Sequence, residues 1–164
     1  MLALIDGDAL VFSAGFAVKK PQPAPYAFKL IKNIISRIMD KTQSSDYKVY
    51  LGSLDKSNFR YQVAKTKPYK EDRKGKPRPD YELEIREYLF EHHLAIEVRG
   101  IETDDALGIE QCGMGDYLKE TTIICSNDKD LDMIPGWHFD LDFGKTRSKK
   151  DGTKYNLKAY KNTD

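Results

Sequence analysis

Five short apolar runs, spaced by segments of helix length, constrain this chain more than any other feature. Residues 2–5, Leu-Ala-Leu-Ile, form an unbroken apolar run that stops at Asp6-Gly-Asp8. A run of that length followed by polar turn residues predicts a strand buried on both faces, as in a parallel sheet. Similar runs lie at 47–51, 94–98, 121–125 and 138–143. Between them, residues 9–18 are apolar and helical in pattern. Residues 26–39 place Phe28, Ile31, Ile35 and Ile38 at helical spacing. Residues 80–91 read as a helix with Asp80 as N-cap, and 102–119 as another whose second half is weakened by Gly113 and Gly115. Pro21, Pro23 and Pro25 make 19–25 a loop. Strands alternating with helices predict an α/β fold: a mostly parallel central sheet with helices on both faces.

In such sheets ligands bind at the carboxyl ends of the strands, and that is where the acids fall. Asp6 and Asp8 follow the first run and Asp55 follows the second. Glu102, Asp104 and Asp105 follow the third, Asp128 and Asp130 the fourth. Any one group has a plain reading as a turn, a cap or a helix-dipole partner. Together they repel one another unless cations are present. Hard oxygen donors without His or Cys select Mg²⁺ or Mn²⁺ over Zn²⁺.

The near-neutral net charge of +1 conceals strong segregation. Residues 56–79 hold nine Lys/Arg against two Asp/Glu, whereas 102–142 hold eleven Asp/Glu against two Lys/Arg. A third block, 143–164, is basic again, with seven Lys/Arg against two Asp/Glu. The first basic block contains Arg60, Lys65, Lys67, Lys70, Arg73, Lys74, Lys76 and Arg78, with Tyr61 and Tyr69 among them. Lys and Arg neutralise a phosphodiester backbone, and aromatics among them suit single-stranded nucleic acid, where bases stack. At 164 residues the chain has the size of one domain. No apolar run approaches the roughly 20 residues of a membrane span, and no signal-peptide pattern opens the chain. Cys112 and Cys125 fit neither a disulfide framework nor a zinc site, which points to a reducing, cytoplasmic setting.

Four stretches resemble the 5′ nuclease family: flap endonucleases, the 5′–3′ exonuclease domains of bacterial DNA polymerases, and bacteriophage 5′–3′ exonucleases. Ile5-Asp-Gly-Asp-Ala-Leu10 is similar to the family's first strand with its metal Asp. Asp55, Phe59-Arg60 and Tyr69-Lys-Glu-Asp-Arg73 resemble its D…FR…YKxxR segment. Gly100-Ile-Glu-Thr-Asp-Asp-Ala-Leu-Gly108 resembles GxExDDxxG, and Ser126-Asn-Asp-Lys-Asp-Leu131 resembles the [ST]xDKDL strand end, closest to the phage branch. The resemblance runs over residues 2–135.

It implies a PIN-like 5′ nuclease domain over 1–144, with a basic arch at 56–79 and a basic extension at 145–164. It implies Asp6, Asp55, Glu102 and Asp104 as ligands of a first Mg²⁺ or Mn²⁺ ion. Asp128 and Asp130 match ligands of a second, with Asp105 near both; Asp8 stands where the family is not uniformly acidic. Lys70 and Arg73 match the basic pair beside the scissile phosphate. Arg60, Lys65, Lys67, Tyr69, Lys74, Lys76 and Arg78 would bind DNA carrying a 5′ single-stranded end or flap. The implied activity is two-metal hydrolysis of DNA to 5′-phosphate products, in the host cytoplasm for a phage protein. The family's helix-three-turn-helix has no match in 136–144, and the chain stops at Asp164. The expectation is therefore an N-terminal part or a shortened member, with the second ion's site weak as it stands.

Three other readings compete. A haloacid-dehalogenase-like phosphatase would use Asp6 as nucleophile and Asp8 as general acid, and leaves Glu102–Asp105 and the basic block unexplained. A PIN-type ribonuclease shares the carboxylates, but the basic insertion favours a 5′ nuclease. A nucleic-acid-binding remnant would keep the arch without turnover.

Overall fold

Strand β1 (Leu2–Asp6) forms where the sequence predicts it, and its neighbours follow from the same logic of continuous apolar runs. The computed structural model of the chain describes residues 1–55, 60–63, 75–113, 121–141 and 160–162. β1 leads into α1 (Gly7–Ala17) and, after the Pro-rich loop, α2 (Pro25–Thr42). Then come β2 (Asp46–Gly52), the short α3 (Arg60–Val63), α4 (Glu82–His93), β3 (Ile96–Val98) and α5 (Thr103–Gly113). β4 (Thr122–Ser126), a 3₁₀ turn (Lys129–Met133), β5 (Gly136–Asp140) and β6 (Tyr160–Asn162) complete the order.

The sheet runs β3-β2-β1-β4-β5-β6. The first five strands are parallel, and β6 pairs antiparallel with β5, His138 opposite Tyr160. β1 is central: Leu2 pairs with Asp46 on one side and Thr122 on the other. Strand side chains alternate between faces, and the two apolar clusters obey that rule. Ala3, Ile5, Val49, Leu51, Ile123 and Cys125 pack under α1, α2 and α4. Leu4, Tyr50, Val98 and Ile124 face Leu107 of α5 and Leu131 of the 3₁₀ turn. The expected α/β architecture with helices on both faces is therefore present.

Pro25 starts α2 at a position where its missing N–H costs nothing. Ile31, Ile35 and Ile38 form the buried stripe, each contributing roughly 1.5–3 kcal/mol of burial. α1 packs closer still. A Cβ on Gly7 would lie 2.5 Å from the Tyr50 carbonyl oxygen, so only glycine lets the first turn of α1 rest against β2. Buried Gln111 ties α5 to the sheet. Its Nε2 donates to the Pro135 carbonyl at 3.1 Å, and its Oε1 accepts from Thr122 Oγ1 at 3.3 Å.

Several boundaries differ from expectation. α4 begins at Glu82, and Asp80 does not cap it; the Asp80 carboxylate accepts the Lys20 N–H at 3.0 Å, pinning the Pro-rich loop instead. Leu94 adopts φ 50° as the C-cap of α4, so β3 starts two residues later than its apolar run. α5 ends at Gly113 within the described residues, and 114–120 lie outside them. β5 covers Gly136–Asp140 rather than 138–143. Among the described residues no helix is long and apolar enough to cross a membrane.

Candidate metal centre

β1 and β4 are adjacent in mid-sheet, and the chain leaves their C-terminal ends for opposite sides of the sheet order. A crevice at such a switch point is the favoured ligand site of an open α/β sheet. The two-residue period places Asp6 on the same face as Leu4, and Ser126 on the same face as Ile124, toward α5.

Asp6 is almost fully buried and caps α1: its Oδ1 accepts the Ala9 N–H at 3.1 Å. Its Oδ2 accepts the Ser126 hydroxyl at 2.7 Å. Ser126 Oγ in turn accepts the Asp128 N–H at 3.0 Å, and Asp128 Oδ1 accepts the Asp130 N–H at 2.9 Å. One buried hydroxyl thus splints the ends of β1 and β4. Above them stands the N-terminus of α5. Asp105 Oδ2 accepts the Glu102 N–H at 3.1 Å, the reciprocal half of a capping box, which fixes both acids and Asp104 between them.

The charges press on one another. Burial, then repulsion from Asp6, Asp128, Glu102 and Asp105, pushes Asp104 up to about 7. Burial raises Asp6 to about 6, opposed by the Ser126 and Ala9 hydrogen bonds and helped by the charges of Asp8 and Asp128. Burial also raises Glu102, with Arg60 pulling it down and Asp105 and Asp128 pushing it up. Asp105 moves the other way, below the ordinary carboxylate range, chiefly through its hydrogen bond from Arg60. Arg60 Nη1 lies 2.6 Å from Asp105 Oδ2 and 3.2 Å from Glu102 Oε2, and Nη2 lies 3.2 Å from Asp105 Oδ1.

The structure therefore brings Asp6, Glu102, Asp104, Asp105 and Asp128 to one place. Asp55 stands past the end of β2, its Oδ2 3.3 Å from Arg99 Nη1. Asp130 lines an open cleft of ≈ 670 Å³ together with Asp104, Asp105, Ile101, Leu131 and Ile134. Asp8 belongs elsewhere. Its Oδ2 accepts from Gly52 N at 3.2 Å and Thr103 Oγ1 at 2.6 Å, and its Oδ1 lies 3.4 Å from Arg86 Nη1. A Cβ on Gly52 would come within 2.9 Å of both Asp8 Oδ2 and Thr103 Oγ1. Arg78 Nε donates to Glu82 Oε2 at 2.6 Å and its guanidinium stands 5.8 Å over the Phe12 ring; Lys76 is exposed. Lys65, Lys67, Tyr69, Lys70, Arg73 and Lys74 lie outside the described residues.

Among the described residues, no three acids, histidines or cysteines close into a ready-made ligand group. The donor set nonetheless suits a hard divalent cation. It is all carboxylate, its burial and mutual repulsion favour the protonated form of Asp104, and it already attracts one cationic side chain. His138 Nε2 is engaged by the Ile134 carbonyl at 2.6 Å, and Cys125 lies in the core of the opposite face. The sequence assigns no role to two residues the structure brings out: Ser126, there only part of a motif, which splints the site, and Arg86, which holds Asp8 beside it. Their signals were a hydroxyl closing an apolar strand and a cation beside Ile85 on the buried side of a helix.

No protein-family model matches the chain, and no curated protein does. Solved structures do. A T5 protein co-crystallised with metal ions is 18% identical with a TM-score of 0.58, covering 95% of this chain and 58% of that one. A T5 5′-exonuclease with bound zinc is 20% identical with a TM-score of 0.57, covering 94% and 57%. A bacteriophage T5 flap endonuclease in a pseudo-enzyme–product complex with DNA and metal ions is 18% identical with a TM-score of 0.56, again covering 94% and 57%. The chain has the fold of these phage 5′ nucleases and spans under three-fifths of their length.

Proposed function

We propose that this chain is a divalent-metal-dependent 5′ nuclease that hydrolyses DNA phosphodiesters to 5′-phosphate products, acting in the cytoplasm on DNA with a 5′ single-stranded end or flap. The observation that carries the reading is the convergence of Asp6, Glu102, Asp104, Asp105 and Asp128 at the β1–β4 switch point, on the fold of the T5 nucleases. Asp6, Glu102, Asp104 and Asp128 hold Mg²⁺ or Mn²⁺, with Asp55 and Asp130 as outlying ligands. When bound, such ions supply water activation and charge neutralisation at the phosphate. Ser126 keeps the β1 and β4 acids in register. In this reading residues 1–144 are the catalytic domain and 56–79 its arch. Lys70 and Arg73 orient the scissile phosphate and oppose its developing charge, while Lys65, Lys67, Tyr69, Lys74, Lys76 and Arg78 grip the strand. The neighbours support this reading through their bound metal ions and, in one case, DNA.

The geometry disfavours the phosphatase reading. Asp8 is held by Gly52, Thr103 and Arg86, so it is not poised as a general acid.

The test is cleavage of a 5′-labelled flap DNA by the whole chain with Mg²⁺, Mn²⁺ or EDTA. Metal-dependent cutting near the junction, lost in Asp104→Ala and Asp128→Ala with folding intact, is expected. DNA binding without cutting in any metal would contradict nuclease activity and favour a binding protein. Lys70→Ala should slow cleavage far more than it weakens binding, whereas Lys74→Ala should weaken binding and flatten its salt dependence.

A further inference from the structure

Arg60 was expected among the DNA-binding cations, yet its guanidinium spans both oxygens of Asp105 and reaches Glu102. All three contacts fall between 2.6 and 3.2 Å. Arg60 opens α3 at the root of the basic block, whereas Asp105 and Glu102 open α5. The contact therefore joins two segments 45 residues apart in sequence.

We propose that Arg60 is an intramolecular competitor for the divalent cation, a latch that holds α3 against α5 until an ion displaces it. The inference rests on the reading of these carboxylates as a metal centre. Arg60 Nη1 stands 3.2 Å from Oε2 of Glu102, one of the proposed ligands, and the same guanidinium engages Asp105 beside it. The guanidinium fork takes Oδ1 and Oδ2, and Oδ2 also accepts the Glu102 N–H. An incoming dication meets a like charge within contact distance of the oxygens it needs. The guanidinium carries one spread charge, which these oxygens hold less strongly than a compact divalent ion, so the ion can displace it. Once displaced, its planar fork becomes available to a phosphate, which it matches in two-point geometry. Ion and nucleic acid should then reinforce each other's binding, and such coupling is reciprocal.

The experiment is calorimetric titration of Mn²⁺ into the whole metal-free chain, as wild type, Arg60→Gln, Arg60→Lys and Asp104→Asn, each checked for folding by thermal melting. Arg60→Gln should bind Mn²⁺ about tenfold more tightly than wild type, because the ion no longer pays for displacing the side chain. Arg60→Lys, which keeps the charge but loses the fork, should fall between the two. In wild type, tryptic cleavage of the Arg60–Tyr61 bond, read by mass spectrometry, should rise about threefold with saturating Mn²⁺ over Na⁺ of equal ionic strength. Wild-type binding that depends on Asp104 but is unchanged or weakened in Arg60→Gln would overturn the latch while leaving the metal centre standing. Absence of Mn²⁺ binding in both wild type and Arg60→Gln would overturn the metal centre and the latch with it.

Discussion

Asp6 and Asp8 are two residues apart, yet the regions they serve handle negative charge in opposite ways. Asp8 closes the β1–β2 side, where the Gly52 N–H, the Thr103 hydroxyl and the buried Arg86 surround it. Arg86 also donates to the Gly52 carbonyl at 2.5 Å, so one guanidinium joins α4, β2 and the start of α1. Asp6 opens the β1–β4 side, where its neighbours are a hydroxyl and further acids. One side neutralises its carboxylate from within the fold. The other gathers carboxylates beyond what its own donors satisfy, and that excess is the physical signature of a cation site.

The comparison breaks most sharply at Arg86. Arg86→Met removes the buried guanidinium that holds Asp8 and the Gly52 carbonyl and should destabilise the chain by about 2 kcal/mol, the scale for leaving part-buried hydrogen-bond partners unsatisfied. Chemical denaturation would show this as a fall in midpoint at constant slope.

On the other side the sign reverses. Asp104→Asn removes a carboxylate opposed first by burial and then by its acidic neighbours, and after allowance for its partial exposure should stabilise the metal-free chain at pH 8 by about 2 kcal/mol. An unfolded Asp ionises near 3.9, whereas folded Asp6 and Asp104 hold their protons up to about 6 and about 7. Below pH 4 both states are protonated and nothing is lost. As pH rises through 4 to 7 the folded state resists ionisation that the unfolded state accepts, so stability falls. Melting of the metal-free chain should therefore be higher at pH 5 than at pH 8. Mn²⁺ should recover the difference in wild type but not in Asp104→Asn.

Ser126→Ala should have a smaller effect, about 1–2 kcal/mol, by leaving the Asp6 oxygen and the Asp128 N–H without the hydroxyl they share. It should weaken Mn²⁺ binding in the same titration. The smallest effect belongs to Arg78→Gln, an exposed pair with Glu82 four residues away, at about 0.4 kcal/mol. That outcome, set beside Arg86→Met, would show that burial, not charge, sets the cost of losing an arginine.

Much of this contrast was legible in the sequence. Continuous apolar runs ending in acids gave the parallel sheet and placed Asp6, Glu102, Asp104 and Asp128 at one edge, because strand ends in a parallel sheet share a side. Asp80 shows the limit. A helix cap is chosen by local geometry, and here a longer-range bond to the Lys20 N–H took its carboxylate. Arg86 and Ser126 were hidden for a related reason. A buried arginine and a strand-end serine gain their roles only from partners 78 and 120 residues away, and no local periodicity encodes those pairings.

Diffraction from crystals soaked in Mn²⁺, recorded at a wavelength where manganese scatters anomalously, tests the central claim most directly. The account predicts an anomalous peak among Asp6, Glu102, Asp104 and Asp128. A peak at Asp8 or elsewhere, with none at the β1–β4 edge, would contradict it.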